Sequence, residues 1–346
     1  MDRKQIIAGG LKIGGGAPVS VQSMTNTKTE DAAATIEQIN RLSSLGCDLV
    51  RVAVPNLRAA NAIEEIKKQV SIPVAADIHF DHRLALRAAE AGADKIRINP
   101  GNIGSNERVR AVADECRKRG IPIRIGVNGG SLEKELTQKY GGVTPEAMFE
   151  SAMNHIRLLN RYDFDDICIS VKSSDVRLTI ESYRMLARET DYPLHLGVTE
   201  AGTEYSGIVR SAIGIGTLLA ENIGDTIRVS LTAEPEREIL AGIEILKSLG
   251  LKKGGIRIVS CPTCGRCDLD LITLTREVEQ RLKNCDKQLT VAVMGCAVNG
   301  PGEASAADFG VAGGHGEGVL FAKGKLIKKV PSDKLADELI ALIENS

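Results

Sequence analysis

The chain has 346 residues, of which 43% are hydrophobic and 26% are charged, and its formal net charge is -1. This length is sufficient for one large and one small domain, each with a buried core. The balanced charge, the aromatic content of 3% and the absence of tryptophan argue against the basic surface and stacking platforms of nucleic-acid-binding proteins. Because no apolar run approaches the roughly 18 to 20 residues of a membrane span and the N-terminus lacks a signal-peptide core, we expect a cytoplasmic protein without membrane or nucleic-acid partners.

Eight short apolar or β-branched runs alternate with helical patterns over the first two thirds of the chain. We predict strands at residues 19–25, 48–55, 74–80, 95–101, 123–129, 166–173, 194–200 and 225–232. The segments between them, such as residues 29–46, repeat apolar residues at helical spacing and end on glycine or small residues. This order predicts an α/β fold, a (β/α)8 TIM barrel. The glycine-rich segment at residues 8–20 lacks the context of a phosphate-binding loop and predicts a β-hairpin that closes the bottom of the barrel.

Polar side chains lie at or near the carboxyl end of most predicted strands. They are Arg51, Asp77, His79, Arg97, Asn99, Arg124, Asn128, Lys172, Glu200, Arg228 and Ser230. In a barrel these ends meet at the catalytic mouth, whereas a doubly wound open sheet gives no reason for them. Five of the side chains are cationic, and arginine forks match phosphate oxygens. The pattern predicts a phosphate or diphosphate ligand, unless each cation is an ordinary surface residue or pairs with a barrel carboxylate.

A last barrel helix and a glycine-rich linker near residues 252–256 follow the eighth strand. We therefore predict a substrate-binding barrel domain over residues 1–252 and a small α+β domain over residues 257–346. In the second domain we expect a helix at residues 268–284, a strand at 290–298, a hairpin at 318–330 and a closing helix at 331–345.

Cys261, Cys264 and Cys267 follow one another at two C-x-x-C spacings in SCPTCGRCDLD. In a reducing cytosol such cysteines are more often metal ligands than disulfides. Zinc would favour a second pair of cysteines or histidines farther along the chain, and only the single cysteines Cys285 and Cys296 follow. An iron-sulfur cluster accepts three cysteines and one other ligand.

The stretch MGCAVNGPGEA supplies further candidates for that set. Cys296 follows an apolar strand, and Glu303 comes after an NGPG turn that can reverse the chain. Together with SCPTCGR, this stretch resembles the cluster-binding signature of the 4-hydroxy-3-methylbut-2-enyl diphosphate synthase family. The resemblance continues through GGGAPVSVQSMTNT, RVAVP, ADIHFD, RINPGN, RIGVN, ISVKSS, GVTEAG and GDTIRVSLTAEP, nearly from end to end.

This resemblance implies a barrel followed by a small iron-sulfur domain with a 4Fe-4S cluster. Its implied ligands are Cys261, Cys264, Cys296 and Glu303. Cys267 departs from the family pattern and is interpreted as a bystander.

The resemblance also implies a substrate, 2-C-methyl-D-erythritol 2,4-cyclodiphosphate, and its reduction to a linear diphosphate. The residues implied to bind or orient the substrate are Arg51, Asp77, His79, Arg97, Asn99, Arg124, Asn128, Lys172, Arg228 and Ser230. Glu200 is the expected proton donor, and Glu303 is the expected exchangeable iron ligand. Reduced flavodoxin or ferredoxin is the implied electron donor, and a head-to-tail homodimer is the implied assembly.

Three other classes of protein compete with this interpretation. A radical S-adenosylmethionine barrel would carry three cysteines after the first strand, where this chain reads SMTNTKTE. A phosphosugar lyase or isomerase with a structural zinc domain could use Lys172 as a Schiff-base lysine. A zinc-ribbon binding module fused to a barrel scaffold would need a basic or aromatic recognition face, which is not evident.

Overall fold

The computed structural model describes residues 3–267, 269–283, 285, 287–296, 302, 304–314 and 316–346. The chain divides into two units, Met1–Lys252 and Lys253–Ser346. Among the helices of these described segments, none is long and apolar enough to cross a bilayer.

The first unit begins with an antiparallel hairpin of β1 (Gln5–Ala8) and β2 (Leu11–Gly14). Gly9 and Gly10 form its two-residue turn with φ of +55° and +89°, a conformation that glycine adopts without steric cost. The apolar side chains of the hairpin pack against Leu49, Ala75 and Cys168. These three residues lie at the amino-terminal part of barrel strands, so the expected hairpin does close the bottom of the barrel.

Strands and helices then alternate. They are β3 (Ser20–Met24), α1 (Ala32–Ser44), β4 (Leu49–Ala53), α2 (Leu57–Gln69), β5 (Val74–Asp77), α3 (His82–Glu90), β6 (Lys95–Ile98), α4 (Pro100–Ile103), α5 (Asn106–Arg119), β7 (Ile123–Asn128), α6 (Lys134–Tyr140), α7 (Pro145–Asn160), β8 (Ile167–Lys172), α8 (Val176–Glu189), β9 (His195–Leu196), α9 (Glu204–Ala220), β10 (Thr226–Ile227) and α10 (Pro235–Ser248). The order of the parallel sheet is β8-β7-β6-β5-β4-β3-β10-β9. A bridge between Ile169 and Leu194 joins β8 to β9. The two edges of the sheet therefore meet, which confirms the predicted (β/α)8 TIM barrel.

Local sequence explains where these helices begin and which face they bury. In α1, the Asp31 side chain accepts from the Ala34 backbone N–H, and Ile36, Ile39 and Leu42 face the core. This spacing of three residues places the apolar side chains on one side of the helix. The helix is thus fixed by its cap and by packing on the barrel.

All eight barrel strands are shorter than predicted, and β9 and β10 differ most. The sequence pattern predicts residues 194–200 and 225–232, but β9 and β10 contain two residues each. Gly197 follows β9, and Glu200 has a left-handed backbone with φ of +52°. Because the chain leaves the extended conformation here, the last predicted residues belong to the loops of the mouth.

Within its described residues, the second unit contains a mixed sheet and helices that pack on it. Its elements are β11 (Ile256–Ser260), α11 (Leu271–Leu282), β12 (Leu289–Met294), β13 (Phe309–Gly313), β14 (Glu317–Ala322), β15 (Lys325–Pro331) and α12 (Leu335–Glu344). The sheet order is β11-β12-β13-β14-β15, parallel from β11 to β13 and antiparallel from β13 to β15. Val278, Val291, Val311 and Leu339 are among its buried core residues. This is the separate α+β unit that the sequence predicts.

Candidate functional site

Cationic side chains line the barrel interior, where branched apolar residues are usual. Arg51, Arg97, Arg124 and Lys172 lie on β4, β6, β7 and β8, and Arg228 follows β10. The placement of Arg51 and Arg124 at strand ends was wrong, because both lie inside their strands. Only 2% of Arg124 is exposed. Since alternate residues of a strand point to one face, the side chains of these cations project into the barrel interior from positions inside the strands.

Asp77 is the central counter-charge of this group. Its carboxylate lies 3.0 Å from Arg97 Nη1, 3.5 Å from Arg51 Nε and 3.9 Å from His79 Nε2. Burial raises the pKa of this carboxyl, but the fields of Arg51, Arg97 and Arg124 outweigh that effect and hold the pKa at about 2. Asp77 is therefore ionised at neutral pH and is unsuited to act as an acid.

Arg124 and Lys172 have no carboxylate partner among the residues that the structure describes. Arg124 Nε and Nη1 are buried without a hydrogen bond, as are the Nε atoms of Arg97 and Arg228. Burial lowers the pKa of Arg124 to about 10 and that of Lys172 well below its ordinary value. Neighbouring arginines act in the same direction, whereas the field of Asp77 partly opposes the shift at Arg124. Buried donors without partners are costly, so this arrangement favours an anionic ligand.

Two glycines provide the room for these long side chains. A Cβ at Gly126 would lie 2.5 Å from Arg97 Nε, and a Cβ at Gly197 would lie 2.5 Å from Lys172 Nζ. Any larger residue at either position would displace a cation, because both distances are far below van der Waals contact.

Glu238, on the first turn of α10, is a residue that sequence reasoning missed. It is 4% exposed, lies 3.4 Å from Arg228 Nη2 and accepts from the Leu231 backbone N–H at 2.9 Å. Glu238 is thus a buried carboxylate, like Asp77, and it orients Arg228. A glutamate in EPEREIL resembles an ordinary first-turn residue, so the sequence offered no distinct signal.

The predicted polar residues around the cations differ in their contacts. The Asn99 side chain accepts from Gly101 N–H at 3.2 Å and caps α4, so the strand predicted to residue 101 ends earlier, where Pro100 starts a helix. Asn128 ends β7, and with its amide oriented to satisfy both of its polar atoms, the oxygen accepts from Arg97 Nη2 at 3.3 Å. His79 is exposed, and Ser230 is half-buried without a side-chain contact among the described residues.

A hydrogen-bonded group that the sequence did not reveal braces the loop of Asn99. His155 Nε2 lies 3.0 Å from Glu133 Oε1, and Ser151 Oγ donates to Glu133 Oε2 at 2.7 Å. Burial raises the pKa of Glu133, but the hydrogen bonds from His155 and Ser151 prevail and lower it to about 2. A Cβ at Gly101 would lie 3.5 Å from both Glu133 Oε1 and His155 Cε1. The group therefore connects the loops that follow β6 and β7.

Glu200, the predicted proton donor, lies on the loop after β9. It is exposed, and among the described residues its carboxylate has no hydrogen bond or ion pair. Its left-handed φ of +52° costs a non-glycine residue of the order of 1 kcal/mol or more. The loop holds this backbone in a strained conformation with the carboxylate open to solvent.

In the second unit, topology brings two cysteine segments to one edge of the sheet. β11 and β12 are parallel neighbours with Ser260 opposite Val293, so Cys261 and Cys296 leave their strands at the same edge. The Gly295 backbone N–H donates to Cys261 Sγ at 3.2 Å. Cys264 is exposed on the loop after Cys261. Glu303 lies outside the described residues.

Cys267 has different contacts. Its thiol donates to the Leu269 carbonyl at 3.2 Å, and a Cβ at Gly295 would lie 2.6 Å from its sulfur. The side chain is thus packed against the strand end and bonded to local backbone.

Within the described segments, no three His, Cys, Asp or Glu side chains are close enough to hold one metal ion. The ligands of an iron-sulfur cluster can lie farther apart than those of a single metal ion, because each ligand binds a separate iron of a larger group. Thiols on adjacent loops at one sheet edge are compatible with that wider spacing. A backbone N–H directed at a ligand sulfur is also typical of such sites.

Fold and site together define a class of protein, a (β/α)8 barrel with a cationic interior joined to a sheet unit with a cysteine-bearing edge. The chain belongs to the GcpE family, since residues 3–243 match its TIM-barrel domain and residues 257–345 match its C-terminal domain.

Similar curated proteins span nearly the whole chain. One from Caldicellulosiruptor saccharolyticus is 60% identical over 97% of both chains, and one from Clostridium perfringens is 58% identical over 99% of both. A protein from Geobacter sulfurreducens is 58% identical over 99% of this chain and 97% of its own. Each bears the name 4-hydroxy-3-methylbut-2-en-1-yl diphosphate synthase (flavodoxin).

Solved structures share the fold at low sequence identity. A dihydropteroate synthase from Stenotrophomonas maltophilia is 14% identical, with a TM-score of 0.52 over 71% of this chain and 97% of its own. The enzyme of that name from Xanthomonas albilineans is also 14% identical, with a TM-score of 0.51 over the same shares. These likenesses concern the fold alone.

Proposed function

We propose that this protein reduces 2-C-methyl-D-erythritol 2,4-cyclodiphosphate to (E)-4-hydroxy-3-methylbut-2-enyl diphosphate in the non-mevalonate route to isoprenoids. One ring C–O bond is cleaved, two electrons are added, and one hydroxyl leaves as water. The observation that carries this proposal is the buried cationic interior, in which Arg124 and Lys172 have no carboxylate partner among the described residues. The names of the GcpE relatives support the product.

The barrel, residues 1–252, binds the two phosphates. When the ring C–O bond breaks, the departing phosphate oxygen gains negative charge. Arginines already desolvated and directed to the interior stabilise that charge without reorganising. Asp77 orients Arg51 and Arg97 through its ion pairs, and Glu238 orients Arg228. His79, Asn99, Asn128 and Ser230 provide further polar contacts.

The sheet unit, residues 257–346, holds a 4Fe-4S cluster. Its ligands are Cys261, Cys264, Cys296 and Glu303, and the common edge of β11 and β12 supports the first and third of them. When bound, the cluster supplies electrons one at a time and an iron whose carboxylate ligand can be replaced. The contacts of the Cys267 thiol with Leu269 and Gly295 support its role as a bystander.

Glu200 gives the proton that converts the leaving hydroxyl into water. Its position on a mouth loop and its strained backbone support this role, since such strain is more frequent at functional sites. Asp77 is the weaker candidate, because the surrounding arginines keep it ionised.

The active assembly is a head-to-tail homodimer in which one chain's cluster reaches the other chain's barrel. The exposed surface of α9 supports an interface, because Tyr205, Val209 and Ile213 form an apolar row at intervals of four residues. Tyr205 is 84% exposed. The electron donor is a flavodoxin, as in the relatives' names, or a ferredoxin, and the place of action is the cytoplasm, where thiols stay reduced.

The test begins with anaerobically purified protein. About four irons and four sulfides per chain, with a visible band that dithionite bleaches, and turnover of the cyclic diphosphate with reduced flavodoxin would support the proposal. In Arg124→Gln we expect turnover to fall by at least ~100-fold, because a buried charge-assisted contact is lost. The control Arg83→Gln, at an exposed site, should match the wild type. One zinc per chain and no turnover after reconstitution would overturn the proposal.

A further inference from the structure

A lysine that has no role in the site above lies at the floor of the barrel. Lys95 starts β6 and is 0% exposed, and among the described residues its Nζ has no hydrogen-bond partner. It is two residues before Arg97 and so points to the same interior face. Its register partner on β5 is Ala75, which packs against the N-terminal hairpin. Lys95 is therefore below the arginines, next to the closed bottom.

The charged and titratable groups that face Lys95 come from four strands. They are Arg51 on β4, Arg124 on β7, Cys168 on β8 and His195 on β9. None of these groups is a carboxylate. His195 Nε2 and both polar side-chain atoms of Gln22 on β3 are also buried without a partner. The floor thus presents cations and unpaired polar atoms to the interior, and no carboxylate among the described residues acts on Lys95.

This environment disfavours the charged form of Lys95. Burial lowers its pKa to about 8, the Cys168 thiol opposes that effect, and Arg124 and Arg51 reinforce it. Near pH 8, an amine with this pKa is neutral in about half of the molecules. Two negative phosphates in the interior would reverse the balance of charge and favour the ammonium form.

We propose that Lys95 is a positioning residue that becomes charged when the anion binds, so that ligand binding is coupled to proton uptake from solvent at Nζ. The inference rests on the proposed function for the identity of the ligand. The geometry that carries it is a fully buried, unpartnered amine beneath arginines that are themselves short of counter-charge. Affinity for the anion then falls as pH rises above about 8, because more of the free protein must first be protonated.

Titration calorimetry of the anaerobic holoenzyme measures this coupling. The binding heat at pH 8 is compared in two buffers with different ionisation enthalpies, which gives the number of protons taken up. Two probes are used, inorganic diphosphate and the cyclic diphosphate. Protonation changes of the probe are shared by the variants. Lys95→Arg keeps a positive charge at this position, so the field on His195 is similar to that in the wild type, and the change in uptake in that variant isolates Lys95.

Three variants separate the possible outcomes. In Lys95→Met we expect uptake to fall by about half a proton per ligand at pH 8, with several-fold weaker binding. In Lys95→Arg, which stays charged, we expect the same loss of uptake with binding retained. The control Lys68→Met removes an exposed lysine and should leave uptake unchanged.

Equal proton uptake in the wild type, Lys95→Met and Lys95→Arg would overturn the proposal. If inorganic diphosphate binds with uptake that depends on Lys95 but the cyclic diphosphate does not bind, the proposed substrate fails and the coupling stands. If neither anion binds, both proposals fail. Should Lys95→Met not fold, the Lys95→Arg arm alone still decides the question.

Discussion

Asp77 should contribute more to the stability of the barrel than any exposed carboxylate. Its ion pairs with Arg51 and Arg97 are almost fully buried. Asp77→Asn keeps the shape of the side chain but removes its charge. The variant leaves buried arginines facing one another without their shared counter-charge, which is strongly destabilising.

The size of the stabilisation by Asp77 can be derived from the pKa of its carboxyl. Asp77 has a pKa of about 2 against an ordinary value of 3.8, and the difference corresponds to about 2.5 kcal/mol at 1.36 kcal/mol per pH unit. Because the folded-state pKa is lowered, this stabilisation is fully present above about pH 4 and is lost as the pH falls towards 2. Asparagine resembles the neutral carboxyl, so we expect Asp77→Asn to lower the free energy of unfolding at pH 7 by at least this amount and by no more than about 5 kcal/mol, the upper end for a buried ion pair that loses one partner.

Tyrosine fluorescence during urea unfolding is a suitable assay. The chain has no tryptophan and five tyrosines, all within the barrel unit, so the signal reports on the barrel alone. Asp31→Asn is a matched control, because Asp31 is an exposed helix cap without an ion pair among the described residues and asparagine caps helices equally well. We expect that control to change stability by less than about 0.5 kcal/mol.

The reasoning is refuted if Asp77→Asn unfolds at the urea midpoint of the wild type with an unchanged slope. A wild-type stability that stays constant between pH 4 and pH 2.5 would also contradict it.

Four further predictions concern single positions. Lys95→Met should raise the free energy of unfolding at pH 7 by up to about 3 kcal/mol, because burial lowers the pKa of this lysine from 10.5 to about 8 in the folded protein. The gain in stability shrinks as the pH approaches 10.5, and urea unfolding at about pH 7 and near pH 10.5 measures it. Glu200→Gln should bind the cyclic diphosphate within threefold of the wild type while turnover falls about 100-fold or more, and unchanged turnover would remove the residue from the mechanism. Cys267→Ser should retain full iron and sulfide content in an elemental assay, whereas loss of iron would make this cysteine a ligand. Gly126→Ala would place a Cβ 2.5 Å from Arg97 Nε, so diphosphate affinity should fall at least tenfold in calorimetry, and wild-type affinity would show that the arginine can move without cost.

The barrel was predictable because alternating periodicity reflects burial directly. Each of the eight predicted strands contains an observed strand, and the misjudged ends lie in mouth loops, where Gly197 and Glu200 leave the extended conformation. Local pattern could not reveal these ends, since β-branched residues continue past them. Tertiary contacts rather than propensity determine where such strands stop.

Candidate residues were predictable only where charge stands out in an apolar run. Arg51 and Arg124 do so, although their depth inside the strands was missed. Lys95 was overlooked because a lysine at the start of a strand usually faces solvent, and only the register with Ala75 places it inside. Glu238 was missed for a similar reason, because a glutamate in the first turn of a helix usually faces solvent. Its burial depends on how α10 docks, which helical periodicity does not specify.

The N-terminal hairpin determines how material enters and leaves the barrel. By packing Ile6, Ala8 and Ile13 against the strand starts, it covers the amino-terminal end of the barrel. Water, protons and ligand are therefore expected to enter from the opposite end, and a ligand bound there would separate Lys95 from bulk solvent. Proton delivery to Lys95 is then expected to precede or accompany entry of the anion, and an inhibitor need only cover the mouth to stop exchange with the whole interior.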